Sequence, residues 1–142
     1  MVDDLKFYLF LGVQGLAFLV LLVFVVGWPG PWNGPRLAGS LFLLAGISLI
    51  FTARLQLGKS FSLTPQARKL VTHGLYSRVR NPIYVFGTLA IVGLCLILQR
   101  PYLWLLPLLV VVMQVARARK EEQVLEAKFG DEYRAYRART WF

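Results

Sequence analysis

The sequence predicts an all-α integral membrane protein with four transmembrane helices, a cytoplasmic loop and a helical C-terminal tail. Of its 142 residues, 57% are hydrophobic, and four apolar stretches have spanning or nearly spanning length. None of these stretches shows an amphipathic stripe, which disfavours a soluble four-helix bundle. The chain is therefore predicted to form a single membrane domain over residues 1–142.

The first two predicted helices cover residues 5–27 and 36–57, and each is long enough to cross a bilayer. The opening MVDDLK lacks the basic lead of a secretory signal peptide, so the first stretch is predicted to be a mature helix. Between the two, GWPGPWNGPR combines helix-breaking proline and glycine with tryptophans that favour the membrane interface. This composition predicts a short external loop.

The third and fourth predicted helices cover residues 82–98 and 101–120. Only Gln99 and Arg100 separate them, which predicts a tight helical hairpin. The remaining residues, 121–142, are predicted to form a cytoplasmic tail. In this tail we expect a glycine, at position 130, to stop the fourth helix and the following aspartate to cap a second short helix.

Positive charge predicts the orientation of these helices. The formal net charge is +9, and residues 53–81 contain arginines and lysines but no acidic residue. A second basic cluster begins at Arg117, whereas Arg36 and Arg100 are the basic residues of the other two connections. Under the positive-inside rule, both termini and the 58–81 loop are cytoplasmic. The charge is thus a topology signal, and no nucleic-acid partner is predicted.

The loop at 58–81 is far longer than a helical hairpin requires, and loops of that length are usually functional or disordered. Apolar residues alternate irregularly with its charges. This composition favours an ordered segment resting on the membrane face, with disorder as the alternative.

The loop ends in the motif Arg80-Asn81-Pro82-x-Tyr84. Asparagine before proline is typical of a helix start, because asparagine caps well and proline suits the first helical position. That role does not explain why Arg78, Arg80, Tyr76 and Tyr84 gather at the same point. A helix N-terminus beside arginines can bind an anion, and tyrosine faces can contact a cation. The motif therefore predicts a binding site.

A second group of charged residues lies at the predicted cytoplasmic end of the fourth helix. Arg117 and Glu121 are four residues apart and share a helix face, so an ordinary surface ion pair is one interpretation. Glu122 follows directly. Two adjacent carboxylates are unfavourable near a helix C-terminus unless the helix continues well beyond them. A catalytic or binding role is the other interpretation.

Several other chemistries have no support in the sequence. His73 is the only histidine and Cys95 the only cysteine, so neither a histidine-based nor a cysteine-based metal cluster can form. No Gly-rich nucleotide-binding motif is present, and a nucleotide-type cofactor would have to bind without a Rossmann scaffold. Small residues in the second helix, including Gly39 and Gly46, predict close helix packing.

The order of these motifs resembles the isoprenylcysteine carboxyl methyltransferase family and its phospholipid methyltransferase relatives. The resemblance covers roughly residues 55–137 and rests on Gly74-Leu75-Tyr76, the motif at 80–84, Arg117, Glu121-Glu122 and Phe129-Gly130-Asp131-Glu132-Tyr133. It implies an integral membrane enzyme that binds S-adenosylmethionine in a pocket at the cytoplasmic face.

The resemblance also implies particular site residues. The cofactor contacts of the family fall on Lys69, Leu70, Val71, Tyr76, Asn81, Pro82, Ile83, Tyr84 and Glu121. Arg80 joins this set through the predicted anion site. The substrate-contacting arginine of the family falls on Arg117, and Glu121 and Glu122 complete the predicted catalytic group. The family often has histidine where this chain has Asn81.

The predicted activity is methyl transfer to a lipophilic acceptor that enters laterally from the bilayer. An isoprenylcysteine-type carboxylate is the first candidate acceptor, since it needs no general base and Arg117 could orient it. A phospholipid amine, with Glu122 as the base, and a small thiol are alternatives. A non-enzymatic protein whose basic loop binds anionic membrane lipids is the competing class.

Overall fold

The computed structural model of the chain describes residues 2–58 and 70–142. In these residues the chain forms five α-helices: α1 (Val2–Gly27), α2 (Gly34–Leu57), α3 (Pro82–Leu98), α4 (Leu105–Phe129) and α5 (Asp131–Ala138). Short 3-10 turns occupy Gly74–Ser77 and Pro101–Trp104. The β pairing in the same part of the chain is a single parallel bridge between Val79 and Trp141. The predicted all-α class is confirmed.

Three helical segments are long and apolar enough to span a membrane: Asp4–Gly27, Gly34–Leu57 and Pro101–Phe129. The fourth apolar helix, α3, has 17 residues and is therefore about 25 Å long, slightly less than a typical hydrocarbon core. The structure thus supports three spans by length and composition. A crossing by α3 and the cytoplasmic orientation stay predictions.

The helix ends differ in detail from the predicted ones. The first two helices begin at Val2 and Gly34, a few residues earlier than 5 and 36. α4 continues to Phe129, well past 120, because no helix breaker occurs before Gly130. Gly130 has a φ of 54° and also occupies the cap position of α5. The expectation that Asp131 caps α5 is therefore wrong, since Asp131 is already the first helical residue.

The close packing of α2 against α3 organises the bundle. A Cβ atom at Gly39 would lie 2.5 Å from the carbonyl oxygen of Gly93, and one at Gly93 would lie 2.5 Å from the backbone nitrogen of Leu43. Glycine is required at both positions because these distances leave no space for a methyl group. The small-residue packing predicted for the second helix is confirmed, and it makes α2 and α3 one rigid unit.

Arg36 ties α1 to α2 at the end of the bundle that carries the 27–36 connection. Its side chain is 2% exposed and donates hydrogen bonds to the carbonyl oxygens of Val25, Trp28 and Gly30 at 2.7 to 2.8 Å. The Val25 carbonyl lies in the last turn of α1, where a cation is favoured by the helix dipole, and Trp28 and Gly30 follow the helix. Arg36 therefore serves the fold, in keeping with the absence of a chemical motif in this connection. The opposite end, formed by residues 70–84 and 117–142, is called the loop end below.

Candidate functional site

The last part of the long loop is held firmly against the end of α2. Val71 and Tyr76 are 8% and 6% exposed and pack with Ala53, which is fully buried. The side-chain oxygen of Gln56 accepts a hydrogen bond from the backbone of Leu75 at 2.7 Å. From residue 70 onwards the loop thus packs on α2 and presents Tyr76 towards the entrance of α3, whereas residues 59–69, which the prediction of an ordered loop also covers, lie outside the described residues.

The end of the tail folds back along the loop as a short strap, residues 139–142. The backbone of Trp141 donates to the carbonyl of Arg78 at 2.7 Å and accepts from the backbone of Arg80 at 2.8 Å. The backbone nitrogen of Asn81 donates to the Phe142 carbonyl at 2.9 Å. From α5, the Tyr136 hydroxyl donates to the carbonyl of Tyr76 at 2.7 Å. The strap thus fixes the backbone of the predicted binding motif.

Arg80 clamps this assembly through its side chain. Its Nε lies 3.2 Å from Oε1 of Glu122, and its Nη1 donates to the carbonyls of Arg137 and Thr140 at 3.2 and 3.3 Å. Both members of the ion pair are largely buried, with side-chain exposures of 15% and 19%. Arg80 and Glu122 are therefore paired with each other. Cofactor binding by Arg80 and proton removal from the acceptor by Glu122 stay predictions. The neighbouring Arg78 is exposed.

The centre of the candidate site is a polar cluster between α3 and α4, which we call the carboxylate cluster: Tyr84, Arg117 and Glu121. The Tyr84 hydroxyl donates to Oε1 of Glu121 at 2.6 Å, and Nε of Arg117 donates to the same oxygen at 3.1 Å. Two donors on one carboxylate oxygen hold the side chain in a single orientation. The ion pair expected from the four-residue spacing is present, but its connection to α3 through Tyr84 marks it as more than a helix-surface pair.

Asn81 stands beside this cluster with an unused polar atom. It occupies the cap position of α3 and Pro82 is the first helical residue, as the motif predicted. Its side chain, however, makes no capping hydrogen bond, and its buried Nδ2 has no hydrogen-bond partner among residues 2–58 and 70–142. A buried amide without a partner costs about 1–3 kcal/mol, so this group is suited to a ligand atom that accepts a hydrogen bond.

The other residues predicted to contact the cofactor lie at the loop end wherever the structure describes them. Lys69 lies outside the described residues. Leu70 is half-buried, and Ile83 packs against the cluster formed by Ala53, Val71 and Tyr76. Pro82 is buried at the entrance of α3. The structure brings all of these described residues to the loop end, within the same region as Tyr84 and Glu121.

Sequence reasoning missed Arg54 as a site residue. This arginine lies in the last turn of α2, over the ring of Phe10 at 4.6 Å, and interacts electrostatically with Tyr76, Tyr84 and Arg117. In the sequence, Arg54 was one of the basic residues of 53–81 from which only the orientation of the helices was predicted. Its position could have indicated a functional residue, because an arginine inside an otherwise apolar spanning segment has a high free-energy cost and such residues are usually functional.

A second missed feature is a polar pair one turn deeper in the bundle. The Thr88 hydroxyl donates to Oε1 of Gln114 at 2.9 Å and lies 3.1 Å from the carbonyl oxygen of Tyr84. Gln114 is the one polar side chain between Leu105 and Ala116, and a single polar residue in such an apolar stretch can indicate a functional site. The pair extends the polar surface of the carboxylate cluster along α3 and α4, towards the middle of these helices.

Tyrosines of the loop end are shifted towards the neutral form. Burial raises the pKa of the Tyr76 hydroxyl, and the neighbouring Tyr136 adds to the effect. Burial likewise raises the pKa of Tyr133 and of Tyr136 to about 12. These hydroxyls are therefore neutral hydrogen-bonding groups at physiological pH and are unsuited to act as bases.

A cavity of about 320 Å³ opens at the other end of the bundle. It is lined by Pro35, Cys95, Leu96, Gln99, Arg100, Pro101 and Trp104. None of the predicted site residues lines this cavity, so the chemistry of the loop end does not extend to it.

Comparison with known proteins assigns this arrangement to a family. The sequence pattern of the family described as Phospholipid methyltransferase matches residues 35–132, more than half of the chain. A search of curated proteins found no match. The matched range includes α3, α4 and the whole carboxylate cluster, and it confirms the resemblance found in the motifs. The chain therefore belongs to the phospholipid methyltransferase family and is, by family, a membrane methyltransferase.

Proposed function

We propose that the chain transfers a methyl group from S-adenosylmethionine to the amine of a phospholipid that lies between α3 and α4. The observation that carries the proposal is the carboxylate cluster, in which Tyr84 and Arg117 hold Glu121 at the junction of these helices. Its position inside the range matched by the family supports the same activity.

The residues at the entrance of α3 suit the cofactor. The buried Nδ2 of Asn81 supplies a donor that no described residue pairs with, and the nearby Tyr76 and Tyr84 supply aromatic rings. S-adenosylmethionine offers matching groups, since it carries hydrogen-bond acceptors and a sulfonium cation, and when bound it supplies an electrophilic methyl group. We therefore assign Asn81, Tyr76 and Tyr84 to its binding, together with the loop residues that the family resemblance implies.

Glu121 is suited to handle the proton of an amine acceptor. Its Oε1 is occupied by Tyr84 and Arg117, whereas its Oε2 accepts no hydrogen bond from the described residues. A lipid amine is protonated at neutral pH and must lose a proton before its nitrogen can form the new bond to the methyl carbon, while the methyl–sulfur bond breaks and a neutral thioether leaves with the electron pair. Glu121 Oε2 accepts that proton in our proposal. Glu122, the base expected from the sequence, is already paired with Arg80.

Arg117 contributes in a different way. Its side chain is 42% exposed, so an anionic group of the acceptor can approach the guanidinium, and in a phospholipid this group is the phosphate. Alignment by such contacts can supply a large part of the rate enhancement of a displacement reaction. Arg117 thus orients the acceptor while Glu121 handles its proton.

An isoprenylcysteine-type carboxylate is the second candidate acceptor. Arg117 favours it, because a guanidinium can bind a carboxylate with two parallel hydrogen bonds. Such an acceptor is already ionised and would not need Glu121 as a base. The two acceptors therefore differ in their dependence on the Glu121 carboxylate.

Cofactor binding is the first test, by calorimetry with S-adenosylmethionine on the folded protein in detergent. We expect saturable binding that Asn81→Ala weakens, while Glu126→Gln, a change on an exposed face of α4, serves as the matched control. A folded sample without saturable binding would reject the enzymatic proposal in favour of a lipid-binding protein.

The acceptor is identified by incubating methyl-labelled cofactor with membrane lipids and analysing the labelled product. We expect label on a phospholipid amine, and Glu121→Gln should abolish most of this transfer. Label on a prenylated cysteine carboxylate, with Glu121→Gln still active, would instead establish the second candidate.

A further inference from the structure

The polar pair Thr88–Gln114 has no role in the proposed chemistry so far. It lies one helical turn beyond Tyr84 and is surrounded along α4 by residues such as Val111, Val112 and Met113, which are 40% to 71% exposed and face the lipid. A carboxamide at such a depth is expensive, and functional use is a common reason for its presence.

The geometry of Gln114 leaves a donor available. Its Oε1 accepts from Thr88, whereas its Nε2 donates to no group in residues 2–58 and 70–142. Space remains beside this nitrogen because position 87 is glycine. A Cβ atom there would lie 3.7 Å from Nε2 and 4.0 Å from Cδ1 of Ile50, so the glycine is not required by helix packing. Gly87 leaves room for a ligand next to an unused donor.

The order of polar groups along α4 indicates which ligand fits. Gln114, Arg117 and Glu121 recur at three- and four-residue intervals and therefore share one face, over a rise of about 10 Å. In a phospholipid, the glycerol esters, the phosphate and the amine follow one another, which is the order of Gln114, Arg117 and Glu121 along the helix. With the amine at Glu121 and the phosphate at Arg117, an ester carbonyl reaches the level of Gln114.

Resting on the proposed function, we infer that Gln114, held by Thr88, donates a hydrogen bond to a glycerol ester oxygen of the acceptor. It is thus a specificity-determining residue for diacyl phospholipids. A prenylated cysteine would place only hydrocarbon beside Nε2 and leave the amide unsatisfied. The same pair can also act as an interhelical hydrogen bond, and the experiment must separate the two roles.

The test measures kcat and the KM for the acceptor with diacyl phosphatidylethanolamine and with its dialkyl ether analogue. We compare wild type with Gln114→Met and Gly87→Ala, and Met113→Leu on the lipid-facing side is the control. Loss of one neutral hydrogen bond should raise KM for the diacyl lipid by roughly 3- to 10-fold in Gln114→Met. Gly87→Ala leaves the Thr88 bond in place but fills the space beside Nε2, so it should raise KM as well.

The ether analogue gives the sharper readout. Wild type should show a raised KM for it, and Gln114→Met should add little further increase, because the ester oxygen is already missing. Affinity for S-adenosylmethionine should stay at the wild-type value throughout. An unchanged KM in both variants, or a loss confined to thermal stability, would show that the pair only joins the helices. Wild type that binds the cofactor but does not methylate either lipid would overturn the proposed acceptor and this inference with it.

Discussion

Replacing Tyr84 with phenylalanine tests the carboxylate cluster most directly. The change deletes one hydroxyl and keeps the ring, so the packing of α3 is preserved. It removes a 2.6 Å hydrogen bond to the Glu121 carboxylate, and hydrogen bonds to charged groups contribute about 1.5–3 kcal/mol. Glu121 keeps its 3.1 Å bond to Arg117, and its side chain is 27% exposed, so water can partly replace the lost donor.

We therefore expect the lower end of that range, about 1.5 kcal/mol, which corresponds to roughly a tenfold decrease in kcat/KM. The assay is the initial rate of transfer from labelled S-adenosylmethionine, with Tyr102→Phe as the control because Tyr102 is 69% exposed at the other end of the bundle. Thermal unfolding of each variant is measured in parallel. A Tyr84→Phe protein with wild-type kcat/KM would show that the orientation of Glu121 does not matter for transfer.

Three further predictions concern the loop end and the helix packing. Arg80→Met leaves the largely buried Glu122 without its cation, so we expect the tail to detach and limited proteolysis to cleave near residue 139. A variant as resistant to the protease as wild type would show that Arg80 does not hold the tail in place. Gly93→Ala should destabilise the bundle by about 1–3 kcal/mol in an unfolding titration, since its Cβ meets the α2 backbone. Gly12→Ala is the control, because no described residue lies within 4 Å of a Cβ there, and it should not destabilise the protein. Burial raises the pKa of Tyr136 to about 12, so its contribution to the free energy of unfolding is complete below its unfolded pKa of about 10 and is lost as the pH rises towards 12. Tyr136→Phe should remove this loss of stability between about pH 10 and 12, and a variant with the wild-type pH profile would exclude Tyr136 as the cause of the loss.

Local rules predicted much of the helical framework. Hydrophobic length located the spanning segments, and the Asn81-Pro82 pair located the start of α3. Spacing on one helix predicted the Arg117–Glu121 pair, because residues four apart are neighbours on any α-helix. The error at Asp131 has a local cause too: Gly130 adopts a positive φ and serves as both the end of one helix and the cap of the next.

The same local rules could not predict contacts between segments that are distant in the sequence. The prediction of Arg80 at an anion site came from its neighbours in the sequence, and its ion pair with Glu122, 42 residues away, was not foreseen. The strap at Trp141 is built from backbone hydrogen bonds, which leave no mark in side-chain identity. Arg54 was counted as one charge among many, because its position beside Tyr76 depends on how the loop packs on α2.

The sequence by itself determined the all-α class, the apolar helices and the motifs that resemble isoprenylcysteine carboxyl and phospholipid methyltransferases, because hydrophobic length and short motifs are properties of contiguous residues. Only the tertiary structure decided which of the polar residues share a site. Tyr84 and Glu121 are 37 positions apart, and Thr88 and Gln114 are 26 apart, on helices whose relative rotation follows from packing. Hydrogen bonds between α3 and α4 join these pairs, and the strap ties the tail to residues 78–81 beside them.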